Sequence, residues 1–342
     1  MVNIAINGFG RIGRLVFRVL VEQGLLGSKF NLVAINDLMD IHNLVYLLQF
    51  DSIHGKLPYK VNMDQHHSLV FLEDMKSVEF NVLQIKDHPT NLPWEKYNVD
   101  IVIEATGAFT KKKDAEGHIK AGARKVLITA PSDNDVKTFV FGVNHNEYNG
   151  ENIVSNASCT TNCLASILYV LLKSDIGFEE GLMTTVHAYT ASQSIVDAPS
   201  KKAFRDGRAG AINLIPASTG AAKTISSIFP ELTNKITGMA VRSPVPNVSM
   251  LDLTFRTSKQ TSLNKINLAM QEAAKTYLHN VLDYTEEEVV STDFMHSPFS
   301  AIYDAKASLE LNDHFFKIIA WYDNEWAYAN RVVDLLKVIS TI

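Results

Sequence analysis

The chain has 342 residues, of which 46% are hydrophobic and 20% charged, and a net charge of -5. At roughly 150 residues per domain that length suggests two domains, and it buries about three quarters of the unfolded surface, enough to need no disulfide or structural metal. The composition excludes disordered and collagen-like chains, and the excess of Asp+Glu (37) over Lys+Arg (32) argues against a dedicated nucleic-acid binder. The two cysteines, Cys159 and Cys163, exclude a disulfide-framed scaffold. The start of the chain lacks the uninterrupted apolar core of a signal peptide, and no run of about 20 apolar residues suits a membrane span. The expectation is a soluble protein of a reducing, cytoplasmic compartment.

In chain order, Val2–Asn7 reads as a strand running into Gly8-Phe9-Gly10-Arg11-Ile12-Gly13. Arg11–Gln23 follows as a helix with Ile12, Leu15, Val16, Val19 and Leu20 on one face. Leu32–Asn36, Val99–Thr106, Lys125–Ala130 and Thr138–Val143 are further strands. Their alternation with helical patterns implies a mostly parallel, doubly wound sheet. After Cys159 the strand-like runs lengthen and crowd together: Gly181–Ala188, Lys235–Arg242, Val248–Arg256, Ser300–Ser308 and Phe315–Tyr322. Helices are expected at Thr219–Ile228 and Leu263–Leu278. This part reads as α+β with a mostly antiparallel sheet. A last amphipathic helix, Trp326–Ile342, must bury Val332, Val333, Leu336 and Ile339. The expected division is a nucleotide-binding domain (1–158), a catalytic domain (159–325) and a terminal helix (326–342) packed on the first domain.

Two places carry chemistry. In the glycine fingerprint, Gly8 permits a tight turn, Gly10 lets a pyrophosphate approach the backbone, and Gly13 lets helix and strand sit close. The amides of Arg11 and Ile12 would point at phosphates from the head of a helix. Asp37, ending the second strand 24 residues after Gly13, suits the ribose hydroxyls of NAD and repels the extra phosphate of NADP. Further on, Cys159 stands near a helix N-terminus, where the macrodipole and a cationic partner are expected to lower a thiol pKa. Its hydroxyl-bearing neighbours Ser158, Thr160 and Thr161 suit an oxyanion or phosphate. Cys163, one turn further in, reads as a packed structural cysteine. His187, at the end of a strand and the start of a hydroxyl-bearing loop, is the candidate base, and no spacing resembles a metal site.

With these residues in place the chain resembles the phosphorylating glyceraldehyde-3-phosphate dehydrogenase family. The resemblance runs through Ile6–Arg14, Ala157–Cys163, Thr184–Thr190, Ser218–Lys223, Pro246–Ser249 and Trp321–Trp326, in the family's order. It implies a Rossmann domain and a catalytic domain that oxidise D-glyceraldehyde 3-phosphate to 1,3-bisphosphoglycerate. Cys159 would be the nucleophile and His187 the base. Ser158, Thr160, Thr219 and Gly220 would hold inorganic phosphate, Thr190 and Arg242 the substrate's own phosphate, and Thr129 and Asn324 the nicotinamide side of NAD. Arg242 suits a phosphate through its donor fork, and Asn324 offers a carboxamide both a donor and an acceptor. A homotetramer is implied as well, with the segment Thr190–Pro216 (Lys201, Arg205 and Arg208 in it) packed between subunits.

The chain departs from the family's usual pattern at Ser243 and Val245, at Ala327 and Ala329, at Ala198, and at Asp87, where a basic residue is usual near the adenosine. Two other readings compete: an erythrose-4-phosphate dehydrogenase of the same fold, and a non-catalytic binding protein. The second is disfavoured because no catalytic residue is missing.

Overall fold

A computed structural model describes residues 1–342 except positions 65, 67, 74, 76, 77, 201, 202 and 342. Two compact units emerge. One comprises Met1–Phe139, His145–Ala157 and Ala329–Ile342, the other Val140–Asn144 and Ser158–Tyr328.

The first unit is built on a nine-stranded sheet. At its centre Val2–Asn7 lies parallel to Phe30–Asn36 on one side and to Ile101–Glu104 on the other. Lys125–Ile128 and Ile153–Ser155 extend the parallel run beyond Ile101–Glu104. The chain therefore winds outward in both directions from the first strand, which creates a crevice beyond the carboxyl ends of the strands at the point of reversal. The glycines put the fingerprint there for the expected reasons. Gly8 has φ +91°, and a Cβ on Gly13 would stand 2.2 Å from the Gly8 carbonyl oxygen. Gly10 meets nothing within 4 Å, so its backbone is open to a ligand. The Arg11–Glu22 helix buries Leu15, Val16, Val19 and Leu20 completely. At about 1.5–3 kcal/mol per fully buried aliphatic side chain, that face anchors the fingerprint to the sheet.

Several elements were not read from the sequence. The helix Ile41–Gln49, the antiparallel edge strands Val61–Asp64 and Leu69–Leu72, the strand Glu79–Leu83 and the helix Lys112–Lys120 were all missed. The expected strand Thr138–Val143 shrinks to Lys137–Thr138. Beyond it Val140–Asn144 enters the second unit, where a Cβ on Gly142 would press within 2.9 Å of Val281. Val140 is buried there by packing rather than by strand pairing.

The second unit holds a seven-stranded sheet. Its strands run in the order Ile215–Ser218, Ile236–Ser243, Phe178–Ala188, Ser249–Thr257, Phe315–Tyr322, Ala301–Asn312 and Leu282–Thr285. Four of the neighbouring pairs are antiparallel. Two are parallel. The Cys159–Lys173 helix packs against the last long hairpin and against the helices Ala221–Ile228 and Leu263–Lys275. The register of the sheet sets His187 beside Arg242 on the adjacent parallel strand. Ala327 lies buried within the helix Trp326–Ile339, not in a turn, so no glycine is required there. From Ala329 onward that terminal helix belongs to the first unit, where the Lys125 ammonium donates to the Ile339 carbonyl at 2.8 Å.

Candidate active site

Ala157 takes the left-handed conformation (φ +57°), turning the chain out of its strand and into the helix that starts at Cys159. Ser158 caps that helix. Its Oγ accepts from the Thr161 amide at 3.0 Å and lies 2.8 Å from the Thr161 hydroxyl. Cys159 Sγ is thereby aimed at His187 Nε2, 3.4 Å away. Cys163 is fully buried.

The electrostatics depart from the expectation of a thiol with a lowered pKa. Cys159 is only half-buried, yet desolvation pushes its thiol up despite opposing hydrogen bonds from Thr160 and the charge of Arg242. Burial, with Arg242 second, pushes His187 down to about 4. The resting pair is therefore a neutral thiol against a neutral imidazole, a nucleophile and a base rather than an ion pair. Two contacts compete for His187 Nδ1. The Ala188 carbonyl lies 2.7 Å away and needs Nδ1 protonated, while Arg242 Nη1 lies 2.6 Å away and needs Nδ1 to accept. Arg242 Nη1 also reaches the Ala188 carbonyl, at 3.3 Å. Arg242 opens on a cavity of about 700 Å³ with Ser192, Gln193, Arg205 and Ser218.

The remaining residues singled out in this unit fall as follows. The Thr160 hydroxyl is buried and paired with the Tyr322 hydroxyl at 2.9 Å, leaving the residue's position in the first helical turn as what it can offer an anion. Thr219 Oγ1 accepts from the Ala221 amide, and Gly220 is open in front of its Cα. The Thr190 hydroxyl lies 2.9 Å from Ser192 Oγ and donates to Gln193 at 3.0 Å. Asn324 is buried, and its Oδ1 accepts from Ser249 Oγ at 2.7 Å, while Ser249 Oγ accepts from the Ala188 amide at 3.1 Å. Asn324 can therefore present its Nδ2 as a donor. Lys201 lies outside the described residues.

Tyr322 lies in the Trp321–Trp326 block, where the sequence assigns it no role. Its hydroxyl bridges Thr160 and Thr185 (2.7 Å), its ring meets His187 edge-on at 6.1 Å, and burial raises its pKa strongly. Tyr322→Phe leaves two buried threonine hydroxyls without their common partner. Unfolding in urea should show a loss of about 1–3 kcal/mol. A loss below about 0.5 kcal/mol would mean that the bridge is not holding the Cys159 helix to the sheet.

In the first unit, Gly8, Gly10, Asn36, Asp37, Thr106 and Phe109 are among the residues lining a cavity of about 380 Å³. Asp37 closes over the fingerprint. One carboxylate oxygen accepts from the Phe9 amide at 2.5 Å, the other from the Met39 amide at 2.9 Å. The Arg11 guanidinium is tied to Asp51 at 2.5 Å. Burial opposes ionisation of Asp51, yet the amides of His54 and Ile53 and the Arg11 charge hold it down to about 2. The Thr129 amide and hydroxyl both donate to the Glu104 carbonyl. Asp87, at the rim of the cavity, is occupied with the His88 amide and Asn91. No group of three or more His, Cys, Asp or Glu side chains suited to a metal exists among the described residues. No helix among them is long and apolar enough to cross a membrane.

An open glycine cradle beneath a carboxylate at the switch point of the first unit and a cysteine–histidine pair within the second define an NAD-dependent dehydrogenase. The comparisons agree. Residues 2–112 match the NAD binding domain of glyceraldehyde 3-phosphate dehydrogenase, and residues 158–324 match its C-terminal domain. A glyceraldehyde-3-phosphate dehydrogenase of Chlamydia pneumoniae is 52% identical over 98% of both chains. Another, from Nostoc, is 50% identical over 97% of this chain and 95% of its own. One from Salmonella typhimurium is 47% identical over 99% of both. The chain belongs to the glyceraldehyde-3-phosphate dehydrogenase family, uses NAD, and acts on a small molecule.

Proposed function

We propose that the chain oxidises D-glyceraldehyde 3-phosphate with NAD and inorganic phosphate to give 1,3-bisphosphoglycerate. The observation that carries this reading is the Cys159 Sγ to His187 Nε2 distance of 3.4 Å at the head of a capped helix. His187 accepts the thiol proton as Sγ bonds to the aldehyde carbon, then passes it to the carbonyl oxygen, giving a hemithioacetal. NAD, when bound, supplies the acceptor for the hydride that turns this adduct into a thioester. His187 is again the base for the hydroxyl proton lost in that step. A phosphate oxygen then attacks the thioester carbonyl, the C–S bond breaks, and Cys159 is regenerated. Covalent catalysis thus divides one hard step into easier ones.

For Nε2 to accept, the ring proton must sit on Nδ1, facing the Ala188 carbonyl. A substrate phosphate that engages Arg242, with Thr190, draws the guanidinium off Nδ1 and favours that tautomer. Ser158, Thr160, Thr219 and Gly220 would receive inorganic phosphate through helix-head amides and hydroxyls. Asn324 and Thr129 would receive the carboxamide. Gly8, Gly10, Gly13 and the amides of Arg11 and Ile12 would receive the pyrophosphate, and Asp37 the ribose. On this reading residues 1–158 with the terminal helix form the NAD domain and 159–325 the catalytic domain. The protein would work in the cytoplasm as a homotetramer. The assembly is supported by Ile195, Phe204 and Ile212, all at least 80% exposed in the Thr190–Pro216 segment.

The test is absorbance at the reduced-nicotinamide band with glyceraldehyde 3-phosphate and NAD, with and without inorganic phosphate. Turnover should need phosphate and exceed that with erythrose 4-phosphate, and phosphate-independent turnover would overturn the acyl-phosphate step. Asp37→Ala should lower kcat/KM for NAD relative to NADP by about tenfold or more, because a charged ribose acceptor worth about 1.5–3 kcal/mol is lost. An unchanged ratio would remove Asp37 from cofactor selection.

A further inference from the structure

Glu104 ends a fully apolar strand, is buried to 1% exposure, and takes no part in the chemistry above. Four donors surround its carboxylate. Oε2 accepts from Asn7 Nδ2 at 2.6 Å and from His118 Nε2 at 3.0 Å. Oε1 accepts from the Thr106 amide at 2.9 Å and from the Thr106 hydroxyl.

Donor logic sets every proton in this group. The Trp94 indole can only donate, and its Nε1 lies 2.8 Å from His118 Nδ1. Nδ1 therefore accepts, the imidazole proton sits on Nε2, and it points at Glu104. Asn7 turns its Nδ2 inward to Glu104 and its Oδ1 toward Asn36 Nδ2, 2.9 Å away. Asn36 in turn accepts from the Ile85 amide at 2.9 Å and donates to the Ile85 carbonyl at 3.2 Å. Asn7, Asn36, Ile85 and Thr106 all line the 380 Å³ cavity of the fingerprint. Thr106 also backs the tight turn, because a Cβ on Gly8 would lie 2.5 Å from the Thr106 amide nitrogen.

We propose that Glu104, with its proton arrangement locked by His118 and Trp94, is the positioning residue of the nucleotide cavity. It fixes the amide orientations of Asn7 and Asn36 and the height of the Thr106 turn against the phosphate-binding glycines. Trp94 and His118 are completely buried, so they act on the cofactor only through this carboxylate. The assignment rests on the reading that NAD occupies this cavity.

NAD affinity of the whole protein, measured by titration calorimetry, tests it. Glu104→Gln is close to isosteric but sets an NH2 against donors that already converge on both oxygens. Its dissociation constant for NAD should rise about tenfold or more, the equivalent of losing one charged hydrogen bond. KM for NAD should rise with it while kcat at saturating NAD changes much less, a split that a general loss of fold would not produce. Should that variant fail to fold, Trp94→Phe removes the indole N–H together with part of a fully buried ring, and NAD affinity should fall about threefold. The ¹⁵N shifts of His118 should then show a mixture of tautomers in place of Nε2–H alone. Lowered thermal stability with NAD affinity within twofold of wild type in both variants overturns the proposal. Weakening by Asp37→Ala but not by Glu104→Gln or Trp94→Phe overturns it alone, and weakening by none of the three overturns the cavity reading with it.

Discussion

Cys159→Ser lowers dehydrogenase turnover by about four orders of magnitude or more, the scale on which a covalent nucleophile is missed when the rest of its machinery stays in place. Serine keeps the helix cap, since Ser158 and Thr161 supply it without help from residue 159. The substitution also leaves the NAD-lining residues of the first unit untouched, so NAD binding should remain within a fewfold of wild type. What disappears is a sulfur whose proton His187 can take. A serine hydroxyl in the same position is far harder to ionise, and Nε2 stands at the distance that suits the larger atom. The measurement is steady-state turnover beside NAD titration. Full activity in the variant would refute the nucleophile. Cys163→Ser, in contrast, changes only a packed interior and should keep turnover at any temperature where it folds.

His187→Asn carries the second-largest effect. Loss of the general base should reduce kcat by about 10²–10⁴-fold. A second readout follows from the histidine's burial, because its pKa falls from an ordinary 6.5 to about 4. Between those values the unfolded chain binds a proton that the folded chain does not, so stability declines as pH falls from about 6.5 to 4. At 1.36 kcal/mol per pH unit, this one group costs the wild type about 3 kcal/mol by pH 4. The variant cannot titrate there, so the wild-type-minus-variant difference in unfolding free energy should become more negative by about that amount from pH 7 to pH 4. A constant difference across that window would mean that His187 is accessible and protonates normally, which would undo the description of a neutral thiol–imidazole pair.

Much of this site is visible along the chain because its signals are local. A strand, three glycines and a helix within a dozen residues announce a phosphate turn, and Cys159 at a helix head announces a nucleophile, though not its ionisation state. Glu104 also left a trace, a charge at the end of Ile101-Val102-Ile103, but nothing local says what satisfies it. Its partners come from the first strand, from the turn that follows it and from a helix fourteen residues on. His118 carries no comparable signal in the sequence, yet it is completely buried, because the short helix that carries it turns that face inward toward Trp94.

Periodicity and turn chemistry, read from the residues, determined the doubly wound sheet, the fingerprint helix, the long strands of the second unit and the cysteine at a helix head. Each of these depends on neighbours a few residues apart. The tertiary structure alone decided that burial would raise the Cys159 thiol against the pull of the helix, that His187 and Arg242 would lie side by side in register, and that Tyr322 would clasp two threonines. Desolvation and cross-strand pairing depend on groups that sequence separation hides. Their energies exist only once the chain has closed around them.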